Sequence, residues 1–278
     1  MTRPATDSEG AGQKSPSLAI GVTGCTGRVA KLVIHELQSH HFGAHVSLAG
    51  GTVRPGLPPM DEFFTTEDPD ALFERADVVI DFTTPDATAR HVWLAAKHKK
   101  PLVIGTTGLN EAHEKEIADA ALETPIVYAA NMSIGVTILC ALVEKVATIM
   151  GEDYDIEIME THHKHKVDAP SGTALALGKA AANGRRGHPA DGKDTPENIF
   201  SRHGQTGARP DGAIGYAVQR GGDVVGDHGV SFFGEGERLM LGHMATDRRL
   251  FAKGAIRAAL WVKDRSAGLY TMRDVLDL

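Results

Sequence analysis

Cysteine is nearly absent: Cys25 and Cys140 are the only two among 278 residues, far apart and with no C-x-x-C pair. That spacing excludes a disulfide framework and a thiolate zinc site, and it fits a reducing cytoplasm. Positive charge is not in excess either. With 29 Lys and Arg against 36 Asp and Glu the net charge is -7, which argues against a nucleic-acid surface, because phosphate binding needs a clustered surplus of Lys and Arg over a whole face. The first 16 residues, MTRPATDSEGAGQKSP, lack an apolar run, so they form neither a signal-peptide core nor a membrane span; a mobile tail is expected. No repeat at a fixed period follows.

What is present is ordinary in composition and patterned in order. An apolar share of 42% and a charged share of 23% suit a globular protein long enough for two domains. From residue 17 short apolar runs alternate with helical ones. "LAIGV" (18–22), "VSLAG" (46–50), "DVVIDFT" (77–83), "PLVIGTT" (101–107) and "PIVYAAN" (125–131) read as buried strands. The segments 28–40, 87–99 and 111–123 between them read as helices. Alternation of this kind predicts a parallel sheet covered by helices on both faces, a doubly wound nucleotide-binding domain.

The first strand-to-helix turn, "GVTGCTGRVA", carries Gly21, Gly24 and Gly27. Glycine lets backbone N–H groups approach a pyrophosphate, and the helix start behind them favours negative charge. Two later strand ends, "DFTTP" (81–85) and "GTTG" (105–108), fall where an open sheet binds ligands. A nicotinamide dinucleotide is therefore expected. The second strand end, "LAGGTVRPG", has no acidic residue for the ribose hydroxyls and offers Arg54 instead. Arg28 is expected near the same end, and the pair would suit the 2′-phosphate of NADPH.

After residue 131 the character changes. "SIGVTILCALVEKVATIM" (133–150) reads as a long apolar helix and "YDIEIMETHH" (154–163) as a half-exposed strand, while 213–222, 223–234 and 237–245 read as antiparallel strands joined by Gly-rich turns. A second, α+β domain with a mixed open sheet is expected from about 132. At its centre lies "ETHHKHKVDAPSGTA" (160–174). Pro170 precedes Ser171, a natural cap, and 172–184 carries strong helix formers ending at Asn183-Gly184. Gly172 and Thr173 would present free N–H groups to a carboxylate, with His162, His163, His165 and Lys166 converging from the preceding loop. This describes a pocket for a small, multiply anionic molecule with a proton donor at hand. No metal is expected, because Lys164 and Lys166 would repel a cation and no supporting carboxylates are evident.

Taken with "DFTTPDAT", "GTTGL", "AANMSIGV", "GERLMLGHMATDR" and "GLYTMRDVLDL", the H-H-x-x-K-x-D-A-P-S-G-T block makes the chain, from about Leu18 to Leu278, resemble the dihydrodipicolinate reductase family. The resemblance implies a Rossmann-like domain over 17–131 completed by 246–278, a substrate-binding and oligomerisation domain over 132–245, and a cytoplasmic homotetramer. It implies NAD(P)H-dependent reduction of 4-hydroxy-tetrahydrodipicolinate, via dihydrodipicolinate, to tetrahydrodipicolinate in diaminopimelate and lysine biosynthesis. By motif, His162 is the implied proton donor and Lys166 the second donor. His163, Lys166, Ser171, Gly172 and Thr173 would bind the dicarboxylate. Gly24, Cys25, Thr26, Gly27, Arg28, Val29, Arg54, Phe82, Thr83, Gly105, Thr106, Thr107, Ala129, Ala130, Asn131 and Met132 would bind the cofactor. This chain departs from the family pattern in Ala30, where Gly is common, in Val53, which replaces an acid and leaves NADPH favoured over NADH, and in Thr84, where some members carry Arg.

Overall fold

The computed structural model describes residues 17–39, 41–58, 60–185 and 196–278; the tail expected over 1–16 lies outside them. The first layer is built from strands β1 (Leu18–Thr23), β2 (Val46–Thr52), β3 (Thr65–Thr66), β4 (Val78–Asp81), β5 (Leu102–Ile104) and β6 (Pro125–Tyr128). Helices α1 (Arg28–Gln38), α2 (Pro69–Arg75), α3 (Pro85–His98) and α4 (Glu111–Ala120) connect them. The chain then passes through α5 (Ile134–Met150), β7 (Asp155–His162), α6 (Gly172–Arg185), β8 (Asn198–Ile199), β9 (Ile214–Arg220), β10 (Gly226–Phe233) and β11 (Arg238–Ala245). It ends in α7 (Arg249–Val262), β12 (Gly268–Tyr270) and α8 (Met272–Leu276).

The first sheet has seven strands in the order β12-β6-β5-β4-β1-β2-β3, every neighbouring pair parallel. Both faces are apolar, as a parallel sheet between helices requires. Ile20, Val22, Val78 and Ile80 pack against α1 and α7 on one side, while Val79, Leu102 and Ile104 meet Phe73, Leu94 and Ile117 on the other. The order reverses at β1, whose neighbours are β2 and β4, so a crevice opens beyond the carboxyl ends of those strands. Helix α2, unassigned from periodicity, carries its own start signal: Asp68 caps by accepting from the Asp70 amide at 3.1 Å, and Pro69 follows at the first position.

The second sheet has five strands in the order β11-β10-β7-β9-β8. Here the sequence expectation needs correction. The segments 213–222 and 223–234 do not form a hairpin, because β7 lies between β9 and β10, pairing parallel with the first and antiparallel with the second. Helices α5 and α6 cover one face through Leu139, Val143, Leu177, Ile156, Ile158, Val230 and Phe232. The other face alternates out of this core and leaves Met159, Phe233, Met240 and Met244 exposed. A second correction concerns α6. It runs through Asn183 and Gly184 to Arg185, because Gly184 is a packing residue: a Cβ there would overlap the Glu144 carbonyl on α5.

Replacing Gly184 by Val is expected to lower stability by about 1–3 kcal/mol through this overpacking, read as a drop in Tm with the far-ultraviolet spectrum unchanged.

Candidate active site

The crevice beyond β1 and β4 is divided into two adjoining cavities that share Phe82 and Thr83. The larger, about 500 Å³, is lined by Gly24, Thr26, Gly27, Val53, Arg54, Glu67 and Arg90 among others. The smaller, about 320 Å³, is lined by Arg28, Val29, Gly105, Thr106, Thr107, Ala130, Asn131, Met132 and Phe251. Gly24 is required as glycine: its φ of +60° is unfavourable for side chains, and a Cβ would sit 2.7 Å from Thr83 Cγ2. The cradle so formed lies against the start of α1, whose first amides have no partner within the helix.

Two expected cofactor residues are placed otherwise. Cys25 is fully buried beneath the turn against Gly51, and burial pushes its thiol above its ordinary pKa. Only its backbone, whose amide already donates to Thr52 O at 2.9 Å, belongs to the turn. Ala129 packs against the core beneath the crevice and lines neither cavity. Arg28 and Arg54 do not share one end: Arg28 lines the smaller cavity and Arg54 the larger. The guanidinium that joins Arg54 is Arg90, and Glu67 brings a carboxylate that the second strand end lacks, its Oε1 accepting from Gly56 N at 2.8 Å. Both come from segments distant in sequence, so the strand-end motif carries no sign of them.

A buried carboxylate holds this crevice in shape. Asp81, at the end of β4 and fully enclosed, accepts from the Thr23 hydroxyl (2.8 Å), the Thr83 amide (3.0 Å) and hydroxyl (2.6 Å), and the Thr88 hydroxyl (2.8 Å), and faces His91 Nδ1 at 3.2 Å. Burial raises its pKa, but His91 and the threonine hydroxyls outweigh that and hold it below the ordinary carboxylate value. The Thr83 amide also donates to Thr106 Oγ1 at 3.0 Å, tying the ends of β4 and β5 together.

The second half of the site is built on β7. His162 is the last residue of that strand and not part of a loop, and it is only 8% exposed. Its Nδ1 lies 2.6 Å from Glu160 Oε2. Glu160, 1% exposed, also accepts from the Ser171 amide (2.9 Å) and from both terminal nitrogens of Arg220 (2.7 and 2.9 Å). Burial pushes this carboxyl up, yet Arg220, His162 and the Ser171 amide together bring it below its usual value. Arg220 NH2 also donates to Asp168 O at 2.7 Å, and the Asp168 side chain holds Lys166 Nζ with two bonds of 2.9 Å. The carboxylates missing from the sequence reading are therefore present, but each is already ion-paired, and among the described residues no cluster suits a metal ion.

Ser171 caps α6 as its sequence position suggests, its Oγ accepting from Ala174 N at 3.1 Å. The amides of Gly172 and Thr173 begin the helix, and a Cβ built on Gly172 would meet nothing within 4 Å. The same Ser171 hydroxyl lies 3.1 Å from His228 Nε2 on β10. His228 is 6% exposed, meets the His162 ring edge-on at 5.0 Å, and leaves its Nδ1 without a partner among the described residues. Burial, with His162 nearby, pulls its pKa down to about 4, so it is neutral at physiological pH. His163 is half-buried, its Nε2 3.3 Å from Arg248 NH2 and its pKa lowered by desolvation and then by that guanidinium. His165 and Lys164 stay exposed and do not enter the pocket.

Two hydrogen bonds join the halves at the site. Asn131 Nδ2, from the smaller cavity, donates to Thr173 Oγ1 at 3.1 Å, and Arg248, just before α7, reaches His163. Glu160, Arg220, His228 and Arg248 escaped the sequence reading; only Glu160, two residues before His162 on a strand and hence on the same face, had a signal.

The family model described as dihydrodipicolinate reductase, N-terminus, matches residues 18–132, and that described as dihydrodipicolinate reductase, C-terminus, matches 135–276. The 4-hydroxy-tetrahydrodipicolinate reductase of Zymomonas mobilis subsp. mobilis is 48% identical over 265 residues, covering 95% of this chain and 99% of its own. That of Cereibacter sphaeroides is 45% identical over 272 residues, covering 93% and 98%. Among solved structures, dipicolinate-bound dihydrodipicolinate reductase from Paenisporosarcina sp. TG-14 shares the fold with a TM-score of 0.72 at 24% identity, over 92% of this chain and 97% of that one.

The buried imidazole has a measurable consequence. His228 stays neutral in the folded protein to about pH 4 while the unfolded chain takes up its proton near 6.5. Its stabilising contribution is therefore complete above 6.5 and is lost as pH falls toward 4, by about 3 kcal/mol. Glu160, with its depressed folded pKa, adds a loss only below its ordinary 4.5. Thermal unfolding from pH 7 to 4 is expected to show this slope, and His228→Asn to flatten it.

Proposed function

Because the chain belongs to the dihydrodipicolinate reductase family, we propose that it reduces 4-hydroxy-tetrahydrodipicolinate, via dihydrodipicolinate, to tetrahydrodipicolinate in diaminopimelate and lysine biosynthesis. The reading rests on one juxtaposition: the proton-donor and anion-seat block 162–173 meets the dinucleotide crevice through the Asn131–Thr173 hydrogen bond. Residues 17–131 with 246–278 hold the cofactor and 132–245 the substrate.

The crevice residues fit a nicotinamide dinucleotide: the glycine cradle and the free amides of α1 suit the pyrophosphate, and the Thr106, Thr107 and Asn131 end suits the nicotinamide. When bound, the reduced nicotinamide supplies a hydride. The chain's own residues do the remaining work. One substrate carboxylate sits on the Gly172 and Thr173 amides with the Thr173 hydroxyl and His163. The other draws Lys166 Nζ away from Asp168. Among the described residues Lys166 and Arg220 pair with Asp168 and Glu160 while Arg248 reaches His163, so the pocket keeps a positive excess that favours a dianion. As the ring gains negative charge, Lys166 stabilises it and His162 Nε2 delivers the proton.

NADPH is the preferred cofactor in this reading, with Arg54 and Arg90 at the end of the larger cavity reading the 2′-phosphate and Glu67 leaving room for NADH. The exposed sheet face bearing Met159, Met240 and Met244 supports a homotetramer formed sheet to sheet, because apolar side chains concentrated on one open face mark an interface. The two free cysteines and the absence, among the described residues, of a helix long and apolar enough to cross a membrane are compatible with a cytoplasmic enzyme.

Oxidation of NADPH or NADH is expected only when the substrate is generated in situ from pyruvate and aspartate semialdehyde by the preceding synthase. Lys166→Ala is expected to cut kcat by about 10²-fold while leaving NADPH affinity nearly unchanged; equal loss of both would contradict the division of roles. Arg54→Ala is expected to weaken NADPH binding and spare NADH. Light scattering is expected to report a tetramer, and Met240→Lys with Met244→Lys a smaller species.

A further inference from the structure

The carboxylate of Glu160 is enclosed by groups that can only donate to it. Arg220 points two N–H groups at it (2.7 and 2.9 Å) and the Ser171 amide a third (2.9 Å). The fourth neighbour is His162 Nδ1, 2.6 Å away. An imidazole nitrogen without hydrogen would place its lone pair against the oxygen's, so Nδ1 carries the hydrogen and Nε2 is the nitrogen left to exchange a proton. Space is reserved for that exchange: a Cβ on Gly226, the neighbouring residue on β10, would come within 2.9 Å of Nε2.

We propose that Glu160, clamped by Arg220, is the positioning residue of the site. One oxygen orients the proton donor His162 and the other anchors Ser171, so that donor and carboxylate seat are held in register by one side chain. The inference rests on the assignment of His162 as proton donor. Glu160 itself does not meet the substrate; it acts through the ring it holds. No amide can replace Glu160 without a clash. A glutamine in the same place would turn an N–H toward one of four donors, either freeing Arg220 or rotating His162.

The test uses the full-length enzyme. Nitrogen-15 and proton NMR of histidine-labelled wild-type protein, with the His162 signal assigned from His162→Asn, reads the tautomer without reference to turnover. The expected result is hydrogen on Nδ1 in a strong hydrogen bond, lost in Glu160→Gln. In the coupled assay, Glu160→Gln is expected to lose about 10²-fold or more in kcat with NADPH affinity within about twofold of wild type. Glu160→Asp, which keeps the charge, is expected to restore part of the rate. Hydrogen on Nε2 alone in the wild type would overturn the proposal, as would a folded Glu160→Gln enzyme whose kcat matches wild type. A wild-type enzyme that shows the Nδ1 hydrogen yet never oxidises NADPH with this substrate would overturn the assigned reaction and leave the orientation of His162 by Glu160 standing.

Discussion

A single buried carboxylate carries the organisation of the second domain. Glu160 sits at the end of β7 with an ionised group almost wholly removed from water, an arrangement that costs several kcal/mol unless every lone pair is used. Here the four donors come from three places: His162 on its own strand, the two terminal nitrogens of Arg220 on β9, and the Ser171 amide before α6, with Arg220 reaching onward to the Asp168 carbonyl. Satisfying the charge therefore positions the strand end, the loop 163–170 and the helix start relative to one another. The proposed carboxylate seat is a by-product of that satisfaction, since the Gly172 and Thr173 amides follow directly from the anchored Ser171.

The first domain repeats the device with different chemistry. Asp81 ends β4 and is satisfied mainly by hydroxyls, from Thr23, Thr83 and Thr88, with His91 alongside. Hydroxyls are neutral donors, so they satisfy the carboxylate without adding charge of their own. Each sheet thus spends one buried acid at a strand terminus, and each acid holds the loops that shape one half of the site. The halves meet through lighter contacts, Asn131 with Thr173 and Arg248 with His163. Away from the site, Arg273 on α8 pairs with Glu144 on α5 at 2.6 Å, and Gly254 on α7 packs directly against the Met132 backbone.

Much of this was legible in the amino-acid order. Continuous apolar strands at regular spacing announced the parallel sheet, because burial on both faces removes any need for alternation. The H-H-x-x-K-x-D-A-P-S-G-T block, ending in a cap and two small residues, announced a donor beside an anion seat. Where reading failed, the cause was long-range pairing. The segments around 213–234 look like a hairpin locally, and only the insertion of β7 between β9 and β10 shows otherwise. Asn183-Gly184 looks like a helix end, and only the approach of α5 shows that Gly184 is there for its missing Cβ.

Sequence alone determined the layer architecture, the identity of the glycine cradle and the cap and helix start of the 160–174 block, since each depends on periodicity or on conformational preferences expressed over a few residues. Tertiary structure decided which groups complete them. Arg220 lies 60 residues from Glu160 and His228 lies 57 from Ser171, and nothing in their immediate neighbours marks them. They become partners because sheet register sets His162 beside Arg220 and Glu160 beside His228, and a buried charge accepts only the donors that register delivers.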